Sequence, residues 1–199
     1  MKKLGENKGM KKERLCRSVT KENLASAYWT LYKEKGTQKI TVKEIITLAG
    51  YNRSTFYKYF KDVYDVQEYI ENAVLDSIKQ MIVNLEHVKD EEVINGLANM
   101  YESNEEYLSV LLSEKGNPMF VKRFKNLMKE IMSQSVPYNK QNPYAPYIFE
   151  YMTTAAIGAI TSWFQNKDDV PLRALIKMMR KLNTGAPIKE LMKSSHNTD

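Results

Sequence analysis

The spacing of apolar residues constrains this chain more than any other feature. Leu24, Ala27, Tyr28 and Leu31 recur at three- and four-residue intervals, and a longer stripe of Val63, Val66, Ile70, Ala73, Val74, Ser77, Ile78, Met81 and Leu85 does the same. No stretch alternates with the period of two that a half-buried strand needs, and no internal repeat is present. Glycine and proline, 8 and 6 of 199 residues, are too few to break such a chain often. The pattern therefore predicts an all-α fold.

Punctuation residues divide the helices. Residues 1–20 hold seven Lys or Arg with little apolar periodicity and read as a loose basic arm, after which Ser18 or Thr20 opens a helix that stops near Gly36. Thr41 with Glu44 three residues on has the form of a capping box, which starts a helix over about 42–49. Gly50 supplies the left-handed residue that ends it, and Asn52 can cap a further short helix over 53–59. A long helix over 63–86 follows, and then stretches at 91–101, 104–113, 117–134, 144–166 and 170–183. The expected organisation is an arm (1–20), a small domain (21–62) and a larger helical domain (63–199).

Charge is divided unevenly between these parts. The net charge of +6 is made of +10 over residues 1–61 and −4 over residues 62–199. A basic first third facing an acidic remainder points to a polyanionic partner for one end and different work for the other.

The segment Thr41–Phe60, TVKEIITLAGYNRSTFYKYF, shows what that partner is. Val42, Ile45, Ala49, Tyr51 and Phe56 fall on inward positions of a helix-turn-helix. With Phe56 and Phe60 anchoring the second helix, the period of 3.6 leaves Arg53, Ser54, Thr55, Tyr57 and Lys58 on its outer arc. Such a face fits the major groove of DNA. Arg53 suits a bidentate contact to guanine, Thr55, Tyr57 and Tyr59 offer hydroxyls, and Lys58 and Lys61 suit phosphates. Thr41 and Lys43 stand at the start of the preceding helix, where backbone N–H groups favour an anion.

In the same segment, Thr-Val, Ile, Ala-Gly and Arg-x-Thr-Phe-Tyr-x-Tyr-Phe at fixed spacing make residues 36–66 resemble the tetracycline-repressor (TetR) family of bacterial transcription regulators. The resemblance implies an N-terminal helix-turn-helix that binds operator DNA and an all-helical C-terminal domain that binds a small molecule and forms a homodimer. It assigns Arg53, Ser54, Thr55, Tyr57 and Lys58 to the DNA face and Thr41 and Tyr59 to the backbone. Two positions depart from the family pattern: Ile46 replaces a usual alanine, and Val63 replaces a usual phosphate-binding lysine, for which Lys61 is the substitute at hand.

The remaining sequence carries weaker signals. Thr153, Thr154, Ala155, Ala156, Gly158 and Ala159 are small residues that let helices approach closely. With a next helix bearing Leu172, Leu175, Ile176, Met179 and Leu182, they suit half of a four-helix bundle completed by a second copy; the same helices also suit packing within one chain. Met119, Phe120, Phe124, Met128, Met132, Tyr147 and Tyr151 suit a pocket for a small apolar or aromatic effector; the same residues also suit a core built with methionine. The motif points to a sequence-specific DNA-binding regulator, and the resemblance further implies a repressor that binds a palindromic operator as a homodimer and is released by an effector. The alternative is a co-regulator whose C-terminal domain binds a partner protein; the acidic YESNEEYL stretch could serve as its surface, though it suits a solvated helix face better.

Other classes lack support in the sequence. There is no phosphate-binding glycine loop, no nucleophile elbow and no paired base, so an enzyme is not expected. Single Cys16 and the separated His87 and His196 offer no zinc site, and no cofactor is expected. No signal-peptide h-region or membrane span is recognisable, which places the chain in the cytoplasm.

Overall fold

The computed structural model describes residues 3–36, 39–83, 90–135, 138–166 and 169–183, together with 185, 186, 189 and 192; for residues 3–18, 83, 90 and 135 it describes the backbone alone. The described residues form α1 (Lys3–Lys35), α2 (Val42–Ala49), α3 (Arg53–Tyr59), α4 (Val63–Val83), α5 (Asp90–Ser103), α6 (Glu105–Leu111), α7 (Pro118–Ser135), α8 (Ala145–Gln165) and α9 (Leu172–Asn183). No strand occurs among them. The fold is all-α, with helix bounds close to those read from the punctuation residues. Leu85, His87 and His196 lie outside the described residues.

One element differs in extent. The segment expected to be a loose arm is helical from Lys3, continuous with the rest of α1. Its Lys, Arg, Glu, Met and Leu residues are good helix formers, and no proline interrupts them. The absence of an apolar stripe, which suggests an arm, is no barrier to a helix that extends one already started.

Two compact units make up the chain, Met1–Ala73 and Val74–Asp199, so the division falls inside α4. The motif-based boundary at residue 62 lies ahead of it, because the first turns of α4 belong to the core of the first unit. There Val66 and Ile70 are buried with Leu24, Tyr28, Trp29, Tyr32, Ile45, Phe56 and Phe60. The Tyr28 hydroxyl donates to Gln67 Oε1 (3.1 Å), and the Gln67 amide donates to the buried Glu71 (2.7 Å), a polar chain joining α1 to α4. Burial holds the Tyr28 hydroxyl far above the ordinary tyrosine pKa, so it stays a donor.

In the second unit α5 packs on α6 and α9, and α8 packs on α7 and α9. Phe120 and Phe124 are buried and stacked, with ring centroids 6.2 Å apart. Ala145, Phe149 and Met152 form a cluster with Met132, Tyr138 and Ile148. Lys125 and Lys129 of α7 both donate to the Glu150 carboxylate of α8, the former at 2.7 Å. Among the described residues no helix is long and apolar enough to cross a membrane. No group of His, Cys, Asp and Glu suited to a metal ion occurs among them either.

Candidate nucleic-acid interface

α2 and α3 are too short to be stable alone, and their ends are fixed by side chains. Thr41 caps α2 through the reciprocal box: its hydroxyl accepts from the Glu44 N–H (3.3 Å), while its own N–H and hydroxyl donate to Glu44 Oε2 (2.8 and 2.7 Å). Gly50 closes the helix at φ 71°, ψ 28°, and its N–H donates to the Ile46 carbonyl. A Cβ there would meet nothing within 4 Å, so the left-handed backbone alone demands glycine. Asn52 then caps α3, its Oδ1 accepting from the Thr55 N–H (2.8 Å) and the Ser54 hydroxyl (2.7 Å).

α3 is anchored from behind by aromatic rings. Phe56 is 0% exposed, edge-on to Tyr57 at 5.4 Å and 5.9 Å from Phe60. Phe60 in turn meets Tyr69 of α4 at 5.7 Å. Lys21 of α1 lies over Tyr69, its Nζ 3.9 Å from the ring centroid, and the Tyr69 hydroxyl donates to Glu22. Asn23 donates to the Tyr51 hydroxyl in the turn (3.1 Å). Sequence reasoning missed Lys21, Glu22, Asn23 and Tyr69, which hold α3 from neighbouring elements.

With that back face fixed, Arg53, Ser54, Tyr57 and Lys58 are exposed, Tyr57 by 48%, and Thr55 and Tyr59 are half-buried. Arg53 Nη2 donates to the Tyr57 hydroxyl at 3.3 Å, one helical turn away. Lys43 within α2 and Lys61 just beyond α3 are exposed. The structure thus brings the expected residues onto and around one helix, with a division of labour the sequence did not show. Thr41 and Ser54 spend their hydroxyl protons on caps, and the Glu44 carboxylate occupies the start of α2.

At α4, Asp62 accepts from the Asp65 N–H (2.9 Å), and Asp65 accepts from the Lys61 N–H (2.8 Å). Acidic groups thus complement that helix start, and the Lys61 side chain just before it is exposed.

Glu44 gives this site a pH dependence. Hydrogen bonds from Lys35 and Thr41 hold its carboxyl at about 2 instead of the ordinary 4.5. Because the folded pKa is the lower one, the stabilisation is complete above about 4.5 and is lost as pH falls toward about 2. Glu44→Gln is expected to flatten that part of the acid-unfolding profile, which circular dichroism against pH would read; an unchanged profile would show the carboxylate contributes nothing.

The candidate effector residues are not brought together. Phe120, Phe124, Met128 and Met132 lie on α7, the first two buried and the others half-buried, but Met119 is exposed. Tyr147 and Tyr151 are 74% and 64% exposed. Helix phase is the reason: Ala145, Phe149 and Met152 turn into the core, which sends positions 147 and 151 outward. The small residues of α8 also divide. Thr153 is buried with its hydroxyl on the Phe149 carbonyl (2.7 Å), whereas Thr154, Ala155 and Gly158 are exposed.

Two family models match the chain. Residues 24–64 match bacterial regulatory proteins of the tetR family, and residues 89–185 match a transcriptional regulator C-terminal region of the same family. The chain belongs to the TetR family. It is accordingly a DNA-binding transcriptional regulator, with α2 and α3 as its helix-turn-helix.

Solved structures share the fold of this TetR-family chain. A TetR transcriptional regulator from Streptococcus agalactiae 2603V is similar at TM-score 0.69 and 22% identity, covering 87% of this chain and 98% of that one. The fatty acid degradation regulator FadR from Bacillus halodurans is similar at 0.63 and 18%, covering 84% and 95%. The dihydroxyacetone kinase operon activator DhaS is similar at 0.55 and 17%, covering 88% and 99%. No curated protein matches the chain.

Proposed function

We propose that this regulator is a cytoplasmic repressor that binds a palindromic operator as a homodimer, reads it with the outer arc of α3, and is released by a small apolar or aromatic effector. The observation that carries the reading is the two-faced character of α3: Phe56 is sealed in the core while Arg53, Tyr57 and Lys58 stand exposed on the same two turns. Contacts to DNA fall to Arg53, Tyr57 and Lys58, with Lys43 and Lys61 on phosphates. Thr41 and Ser54 support that geometry through the caps, and the half-buried Thr55 and Tyr59 add hydroxyls for base edges and the backbone at the border of the arc. Enrichment of duplexes from a random pool tests the reading. The expected product is a two-fold symmetric site with half-sites one or more helical turns apart, ~34–36 Å per turn. Failure to enrich any sequence would refute it.

Support for the homodimer comes from the outward faces of α8 and α9. Tyr147, Tyr151, Thr154 and Gly158 follow one another at four, three and four residues, and all are exposed. On α9, Ala174, Met178 and Leu182 do the same at four-residue spacing, Leu182 being 65% exposed. Large apolar groups left in water beside small ones are what a second copy would cover. A Cβ at Gly158 would meet nothing within 4 Å inside one chain. Gly158→Leu is therefore expected to leave the folded subunit intact but to push two α8 helices apart, so that sedimentation shows a monomer. A variant that stays dimeric would place the interface elsewhere.

Support for an effector is confined to the aromatic and methionine side chains of α7, among which Phe120, Phe124, Met128 and Met132 remain candidates. One of the fold relatives, DhaS, is by name an operon activator. Repression here is tested by a reporter behind the enriched site: output should fall when the protein is supplied.

A further inference from the structure

The described interactions that tie α1 to the flanks of α3 lie at Lys21, Glu22 and Asn23, which meet Phe60, Tyr69 and Tyr51. Tyr51 stands in the turn before α3, and Phe60 is its C-terminal cap. α1 therefore passes both ends of the reading helix and runs back beyond them to Lys3. At ~1.5 Å per residue, that is roughly 25 Å of further helix.

This part of the helix has the wrong composition for a core element and the right one for a polyanion. Residues 3–19 contain Lys3, Lys8, Lys11, Lys12, Arg14 and Arg17 against Glu6 and Glu13, a formal charge of +4. Lys8, Lys11 and Lys12 stand three and four positions apart, the spacing at which like charges repel on a helix. Over residues 3–14 the only large apolar residues are Leu4 and Met10, which do not share that spacing. Phosphates would remove the repulsion and release condensed counterions on binding.

We infer that residues 3–17 of α1 are a second DNA-binding segment, laid along phosphates outside the base pairs read by α3. The inference rests on the DNA-binding function of the helix-turn-helix and adds affinity without sequence information. It assigns the basic end of the chain to the duplex that flanks the operator.

The test compares the full-length protein with a variant carrying Lys8→Gln, Lys11→Gln, Lys12→Gln and Arg14→Gln. The probes are an enriched duplex with about one helical turn of extra sequence on each side, the same duplex trimmed to the site, and an unrelated duplex of the longer length. On both long duplexes the variant should bind about tenfold or more weakly near physiological salt. Its plot of log affinity against log salt should be shallower by ~0.9 for each phosphate that the variant no longer neutralises. On the trimmed duplex the two proteins should bind alike, and the preference for the enriched sequence should be unchanged. Charge reversal by Lys11→Glu alone should weaken long-duplex binding further than Lys11→Gln. Equal salt slopes on the long duplexes, or an equally large weakening on the trimmed one, would overturn the inference. Should the wild-type protein enrich no sequence, the reading role of α3 fails, yet the slopes on the unrelated duplex still decide whether the extension binds phosphates.

Discussion

Phe56→Ala is expected to abolish operator binding by releasing α3 from its core, although this side chain never meets DNA. Its ring is fully buried and touches Tyr57 on one side and Phe60 on the other. Truncating a buried phenylalanine costs ~3–5 kcal/mol, from forfeited transfer energy and from the cavity left behind. α3 has only 7 residues, and a helix that short has no stability of its own to absorb the loss. Denaturant melts should show the first unit unfolding at much lower denaturant while the dimer persists, with no binding to the enriched duplex. Binding within twofold of wild type would mean that another residue holds the helix.

Arg53→Ala should act in the opposite manner, leaving stability alone and erasing discrimination. The guanidinium is exposed, reaches the Tyr57 hydroxyl at 3.3 Å, and has its Cζ 5.6 Å from the Tyr57 ring centroid, so it is already partly ordered before DNA arrives. A bidentate contact to guanine is worth ~1–3 kcal/mol of discrimination against other bases. The effect should be confined to one base pair in each half-site when every single-base variant of the duplex is titrated. Lys58→Ala offers the contrast, since removing a phosphate contact weakens binding to all sequences alike. A uniform weakening from Arg53→Ala would move that residue to the backbone.

Much of this site is legible in local sequence because its determinants are local. The Thr41–Glu44 box, the left-handed Gly50 and the Asn52 cap are each fixed by residues within a turn of one another, and α2 and α3 begin and end where those residues stand. The buried face of α3 follows from the period of 3.6. The hold on α3 is not legible: Tyr69 and Glu22 meet across 47 positions of sequence, and no local pattern pairs them. Tyr147 and Tyr151 look like pocket residues in sequence for a related reason. α8 is apolar on more than one side, so its periodicity does not show which side turns inward; the packing of Phe149 and Met152 against Met132 and Tyr138 does. Thr41 and Ser54 look like contacts to DNA because a hydroxyl is the same in sequence whether its proton is free or already given to a cap. The helical state of the N-terminal segment is hidden because charge pattern speaks to partners and only weakly to backbone conformation.

The most direct measurement is photo-crosslinking from Tyr57→p-benzoylphenylalanine in the complex with the enriched duplex, with the site of attachment mapped on each strand. If the outer arc of α3 lies in the major groove, adducts will fall on bases inside each half-site, at the same position in both by symmetry, and will vanish with an unrelated duplex. Adducts on protein alone, or on DNA outside the half-sites, would contradict the account.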